Sequence, residues 1–168
     1  MFKKVCIIGC GLIGSSLARA IKKNNLSEKV VSSNRSDSIN KKVIELNIVD
    51  ESSSDTKKVV HNSDLVVIAA PLSSYEDIIL KIKDSLKKGA ILTDVGSVKE
   101  SILDIVDKNL PENISWIPSH PIAGTEESGP RAGQTEMFEN RWCIISPPEN
   151  CAQQPIKTLK EFWEKVGS

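Results

Sequence analysis

The sequence predicts an α/β fold: a doubly wound, mostly parallel sheet with helices on both faces. Three observations carry this reading. Short apolar runs alternate with longer stretches of helical periodicity along the chain. The runs are continuous rather than alternating, the pattern of strands covered on both faces. The first run ends in "GCGLIG", a glycine-rich turn that opens a helix, which makes the expected sheet Rossmann-type.

The elements follow in order. "KVCIIG" is a buried strand, and Leu12 to Lys23 a helix with apolar Leu12, Ile13, Leu17, Ala18 and Ile21. "EKVVSSN" is a second strand, followed by a helix from Ser38 to Leu46. "SDLVVIAAP" is a third strand, stopped by Pro71, and Tyr75 to Leu86 is helical through Ile78, Ile79, Ile82 and Leu86. "GAILTDVG" is a fourth strand, and Val98 to Val106 a helix. "ISWIPSH" and "WCIISPP" read as two more strands, and Gln154 to Val166 as a final helix. No repeat, low-complexity tract or linker interrupts the pattern, so residues 1–168 read as one domain, long enough to bury a real core.

Composition narrows the function classes. Lys+Arg and Asp+Glu balance at 22 each, which argues against nucleic acid as a partner. Four cysteines, Cys6, Cys10, Cys143 and Cys151, show neither metal-ligand spacing nor a disulfide framework. Cys6 and Cys10 lie in or beside an apolar run, where thiols act as small core residues. The expected compartment is therefore reducing and cytoplasmic. The apolar N-terminal stretch is short and broken by glycines, unlike a signal peptide, and no run approaches a membrane span.

In "GCGLIG", Gly9 permits the tight turn after the strand, Gly11 lets the backbone approach a pyrophosphate, and Gly14 lets the helix pack close to the sheet. The helix start then offers unpaired N–H groups to phosphate. An NAD site expects a carboxylate about 20 residues on, holding the ribose hydroxyls. Asn34 stands there, within "SSNRS". Nothing repels a 2′-phosphate, and Arg35, Ser33 and Ser36 suit one. NADP is thus expected to be preferred, with NAD possible; the other reading of Arg35 is a solvated charge or an adenine stack. The residues assigned to the cofactor are Gly9, Gly11, Leu12, Ile13, Gly14, Asn34, Arg35, Ser36, Ala70 and Pro71. Pro71 reads equally well as a strand terminator.

Two further segments leave the expected carboxyl edge of the sheet. In "TDVGSVKES", Ser97 reads as a helix N-cap in a capping box with Glu100, or as a hydroxyl beside the nicotinamide. Asp94 reads as a loop organiser and Lys99 as a solvated helix residue. In "SHPIAGTEESG", His120 is placed either to deprotonate a substrate hydroxyl as hydride leaves the same carbon, or to brace the loop. His61, before a strand, reads as a surface loop residue. Glu126 and Glu127 gate an entrance or sit in solvent, and no second His or Cys stands near enough for a metal.

"GCGLIGSSLARAI", "TDVGSVKES", "SHPIAGTEESGPRAG" and "FENRWCIISP", in this order, resemble the prephenate/arogenate (cyclohexadienyl) dehydrogenase family of tyrosine biosynthesis. The His-Pro-Ile-Ala-Gly-Thr-Glu string is highly specific to that family, and the match covers essentially the whole chain. The resemblance implies oxidation of a ring carbinol by NADP or NAD, with loss of the ring carboxylate as CO₂. By the same resemblance, His120 is the catalytic histidine and Ser97 its partner on the substrate hydroxyl. Glu126 stands at the pocket gate, and Gly124 and Thr125 shape the loop. The family continues into a helical C-terminal domain that makes a homodimer and holds the substrate carboxylates; this chain resembles the cofactor domain only. No residue is assigned to those carboxylates, Arg131 and Arg141 being candidates in name only. Without that half, Phe162 and Trp163 of the last helix are expected to be exposed and to drive self-association. The alternatives are a non-catalytic dinucleotide-binding fragment, or another NADP-linked dehydrogenase or reductase of the same fold group, such as a hydroxyacid dehydrogenase or imine reductase.

Overall fold

The computed structural model describes residues 1–168, residue 101 by its backbone alone. Six strands form one parallel sheet: β1 (Phe2–Ile8), β2 (Ser27–Ser33), β3 (Glu51–Ser53), β4 (Leu65–Ile68), β5 (Ile91–Asp94) and β6 (Ser115–Trp116). Their order across the sheet is β3-β2-β1-β4-β5-β6. The direction of winding reverses between β1 and β4, and ligands bind outside the strand ends at such a reversal. The helices are α1 (Leu12–Lys23), α2 (Asp37–Glu45), α3 (Thr56–Val60), α4 (Tyr75–Ile82), α5 (Glu100–Asn109) and α6 (Gln153–Val166).

Alternation along the strands divides the core into two layers. Val5 and Ile7 of β1, with Leu65 and Val67 of β4, meet Leu17 and Ile21 of α1 and Phe162 and Trp163 of α6. Cys6 and Ile8, with Val66 and Ile68, meet Ile79 and Ile82 of α4 and Ile102 and Val106 of α5. Both faces of the central strands are therefore covered, which is why they read as unbroken apolar runs.

Four expectations need correction. Phe162 and Trp163 are not an exposed patch: they are 0% and 2% exposed. Phe162 stacks edge-on against Phe2 at 5.8 Å, and Trp163 against Phe138 at 5.6 Å, so the core is closed by residues remote in sequence. "ISWIPSH" is not one strand. Pro118 interrupts it, leaving β6 in the sheet and β7 (Ser119–Pro121) in an antiparallel pair with β8 (Cys143–Ile145). "WCIISPP" is a strand as expected, β8, and it pairs in a separate two-stranded ribbon. The Ser97–Glu100 capping box does not form, because α5 starts at Glu100 with Lys99 at its N-cap and no side-chain cap. Helix limits shift modestly: the Tyr75 helix is α-helical only to Ile82 and ends in a 3₁₀ turn, Lys83–Ser85. His61 is an exposed residue at the end of α3, as expected. Among the described residues no helix is long and apolar enough to cross a membrane.

Candidate dinucleotide site

β1 ends at Ile8, and Gly9 turns the chain at φ +97° with its N–H donating to the Ser33 carbonyl at 2.9 Å. A side chain at Gly9 would meet the Ala69 carbonyl oxygen of the neighbouring loop at 2.6 Å. One at Gly14 would meet the Gly9 carbonyl oxygen at 2.0 Å. These two glycines let α1 start directly against the β1 and β4 ends. Gly11, the N-cap of α1, differs, since a Cβ there would touch nothing within 4 Å. It faces open space, and the first-turn N–H groups that follow it have no acceptor within the helix.

That space belongs to a cavity of about 630 Å³ at the carboxyl ends of β1, β2 and β4. Its walls include Gly9, Gly11, Asn34, Arg35, Ser36, Ala70 and Pro71. Leu12, Ile13 and Gly14 lie behind the glycine loop in α1 and not in the cavity wall. Sequence reading overlooked Ile78, Asp77 and Lys81 of α4, Thr56 at the start of α3, and Ser54 and Ser74, which also line the walls. The α4 side chains recur one helical turn apart, a signal present in the sequence but without a partner to point at.

Asn34 is a brace as well as a wall. Its Oδ1 accepts the Cys10 N–H at 2.6 Å, inside the glycine loop. Its amide group donates to Asn40 Oδ1 at 3.0 Å and to Ser32 and Ser52 hydroxyls at 3.3 Å. The buried network is fully engaged, so the loop is pinned to the end of β2. Arg35 is exposed and reaches Ser74 Oγ at 3.5 Å across the cavity mouth. Ser36 is the N-cap of α2, its hydroxyl paired with Ser38 rather than with the helix N–H groups. Burial pushes the Cys10 thiol up to about 11 and the Cys143 thiol to about 12, so neither is a thiolate nucleophile.

His120, Ser97, Gly124, Thr125 and Glu126 do not line this cavity; they stand on adjoining segments. The loop after β7 returns to the first turn of α1, where a Cβ on Gly124 would lie 3.8 Å from Ile13 Cδ1. Ser97, Thr125 and Glu126 are exposed, and His120 is half-buried. β7 is fixed to β5: the Ser119 hydroxyl pairs with Thr93 at 2.9 Å and donates to the Asp94 carbonyl at 2.7 Å. Lys99 is not a solvated helix residue. Its side chain is 19% exposed and bonds to buried Asp94 and to the Ser119 carbonyl at 2.7 Å. Burial holds its ammonium below the usual range, against the raising pull of Asp94. On the ribbon, His120 lies opposite Ile144, and the exposed side chains of Ile122, Trp142 and Ile144 flank it. Among the described residues no cluster of three His, Cys, Asp or Glu side chains is placed to hold a metal ion.

The family model for the nucleotide-binding domain of prephenate dehydrogenase matches residues 17–168. Cyclohexadienyl dehydrogenase of Zymomonas mobilis is 36% identical over 167 residues, 99% of this chain and 57% of that protein. The structure of prephenate dehydrogenase from A. aeolicus, in complex with hydroxyphenyl propionate and NAD+, superposes with a TM-score of 0.91 at 26% identity. That match covers 99% of this chain and 58% of the other. Synechocystis arogenate dehydrogenase superposes with a TM-score of 0.89 at 26% identity, covering 98% and 57%. The chain thus spans a little over half the length of these relatives.

Proposed function

Because the chain belongs to the prephenate dehydrogenase nucleotide-binding family, we propose that it is the dinucleotide-binding half of an NADP-preferring prephenate or arogenate dehydrogenase. The observation that carries this is the glycine loop opening at Gly11 onto a cavity at the winding reversal, with the loop that follows the His120 strand reaching the first turn of α1. The residues fit the cofactor. Gly9, Gly11 and the α1 start suit the pyrophosphate. Ala70 and Pro71 form a wall along the cofactor's length, and Arg35, Ser36 and the α2 start suit a 2′-phosphate. A nicotinamide dinucleotide bound there supplies the hydride acceptor.

The chain's own residues do the rest. His120 takes the proton of the substrate's ring hydroxyl as hydride leaves the same carbon, and Ser97 hydrogen-bonds that hydroxyl and fixes its direction. The electron pair of the broken carbon–carboxylate bond completes the aromatic ring as CO₂ leaves, the proton held by His120 returns to the resulting phenolate oxygen, and the hydride acceptor is the only oxidant needed. Glu126, with Gly124 and Thr125, borders the entrance. The exposed face of Ile122, Trp142 and Ile144 suits a cover from the remaining length that the relatives possess, including the groups that grip the substrate carboxylates. Residues 1–168 on their own therefore bind cofactor and turn over slowly, because near-attack geometry depends on those remote contacts. The homodimer of the family is proposed for the longer protein.

The test is NADPH and NADH formation by the chain with prephenate and with arogenate, beside direct titration of both cofactors. NADP+ should bind more tightly than NAD+. Arg35→Ala should weaken NADP+ by about 10- to 100-fold, the value of a lost charge-assisted phosphate contact, and leave NAD+ nearly unchanged. An unchanged ratio sinks the NADP preference. Any slow turnover should vanish in His120→Asn; turnover that survives removes His120 from the chemistry.

A further inference from the structure

Asp94 ends β5 and is fully buried, yet it lines no wall of the cavity. Its carboxylate is approached from several segments. Oδ2 accepts from the Lys99 ammonium, from the Tyr75 hydroxyl at 3.2 Å and from the Gly96 N–H at 3.0 Å. Oδ1 accepts the Ser119 N–H at 3.3 Å. Lys99 also reaches the Ser119 carbonyl, and the Ser119 hydroxyl returns to the Asp94 carbonyl. Gly96 immediately precedes Ser97, and Ser119 immediately precedes His120. One buried ion pair therefore anchors the turn that carries Ser97 and the strand that carries His120.

A buried ion pair is weak as a source of stability, because desolvation offsets the attraction. Its better-attested use is to specify one arrangement of the groups around it. Here the four donors come from three segments, the start of α4 (Tyr75), the β5–α5 connection (Gly96 and Lys99) and β7 (Ser119), and the angular demands of four hydrogen bonds leave little freedom between them. An apolar side chain would fill the same space without setting that geometry.

We infer that Asp94, with Lys99 as its counter-ion, is the positioning residue that holds Ser97 and His120 in fixed relation at the reacting end of the dinucleotide. This rests on the functional reading above, which puts those two side chains there. Asparagine is the sharp perturbation. It keeps the volume but turns one acceptor into an NH₂ donor, which must face either the Lys99, Tyr75 and Gly96 donors or the Ser119 N–H.

The chain holds two histidines, His61 and His120, so ring-labelled histidine gives two NMR signals with His61 as the internal control. In the wild type, NADP+ should shift the His120 ring resonances and leave His61 unmoved. In Asp94→Asn, NADPH affinity by fluorescence should stay within about threefold, while the His120 response is lost. Lys99→Met should lose the response too, and Lys99→Arg should retain it. A wild-type response in both Asp94→Asn and Lys99→Met overturns the inference, as does a matching loss of cofactor affinity, which marks Asp94 as a general brace. If Asp94→Asn does not fold, the Lys99→Met and Lys99→Arg pair decides. A wild-type chain that binds NADPH while His120 ignores it overturns the placement of His120 itself, and the inference falls with it.

Discussion

Alanine at Gly11 and alanine at Gly14 should fail in opposite ways. At Gly14 the new Cβ lies 2.0 Å from the Gly9 carbonyl oxygen, 3.1 Å from its carbon and 3.2 Å from Ala69 Cβ. Two of these neighbours are backbone and cannot swing aside. Relief requires α1 to move off the ends of β1 and β4 by on the order of 1 Å, loosening Leu17 and Ile21 in a close-packed layer. Overpacking of this kind costs about 1–3 kcal/mol, and backbone contact places Gly14→Ala near the upper figure. At about 3 kcal/mol, the melting temperature should fall by roughly 6–12 °C for a chain of this size.

Gly11 is the contrast. Its φ of −75° and ψ of −155° are open to any residue, and its Cβ would meet nothing within 4 Å. The poorer N-cap and the stiffer unfolded chain nearly cancel, leaving a stability change within about 0.5 kcal/mol. The methyl group, however, projects into the space a pyrophosphate needs. Losing one or two charge-assisted contacts, about 1.5–3 kcal/mol each, should weaken NADPH binding by roughly 10- to 100-fold or more. Urea unfolding and NADPH fluorescence titration on the two variants separate the cases. Wild-type affinity in Gly11→Ala would show that phosphate does not approach there, and wild-type stability in Gly14→Ala would refute the packing.

Three further outcomes follow from named contacts. Asn34→Asp keeps the acceptor for Cys10 N–H but sets a carboxylate oxygen against Asn40 Oδ1; it should cost about 1–3 kcal/mol of stability and move the Kd ratio toward NAD+, and a ratio unchanged or shifted toward NADP+ would contradict this. Phe162→Ala should cost about 3–5 kcal/mol by urea unfolding, because its ring is sealed between Phe2 and Trp163, whereas a surface residue would cost almost nothing. Burial alone would raise the Asp64 carboxyl, but Lys87 and the Lys4 and Lys3 N–H groups outweigh it and hold the group below its usual range. A depressed folded pKa gives stability that is present above the unfolded value near 3.9 and lost as pH falls through the folded one. Asp64→Asn should therefore cost about 1–2 kcal/mol at pH 7, with the difference fading below about pH 4; a pH-independent difference would refute the linkage.

The central sheet was legible because its strands are buried on both faces and carry their apolar residues without a break. β3 was not: "ESS" is a short polar edge strand recognisable only from its pairing with β2. The ribbon of β7 and β8 escaped because Pro118 ends one pairing and begins another, with its carbonyl accepting the Ser146 N–H at 3.0 Å. Phe162 and Trp163 were misread because periodicity shows that a helix has an apolar face, not what covers it. Here the cover includes Phe2 and Phe138, one more than a hundred residues upstream. The glycine loop was legible because close backbone approach demands glycine at Gly9 and Gly14, and Gly11 completes the spacing between them. The Asp94–Lys99 pair was not, since its meaning lies in Ser119 and Tyr75, which reach it only through the fold.

The most direct measurement is a crystal structure of the chain with NADP+. The pyrophosphate should lie against Gly9, Gly11 and the start of α1, the 2′-phosphate should contact Arg35 and Ser36, and the nicotinamide ring should reach toward Ser97 and His120. A dinucleotide bound elsewhere, or one in the cavity with its nicotinamide directed away from both side chains, would contradict the assignment of this site as the cofactor half of a dehydrogenase.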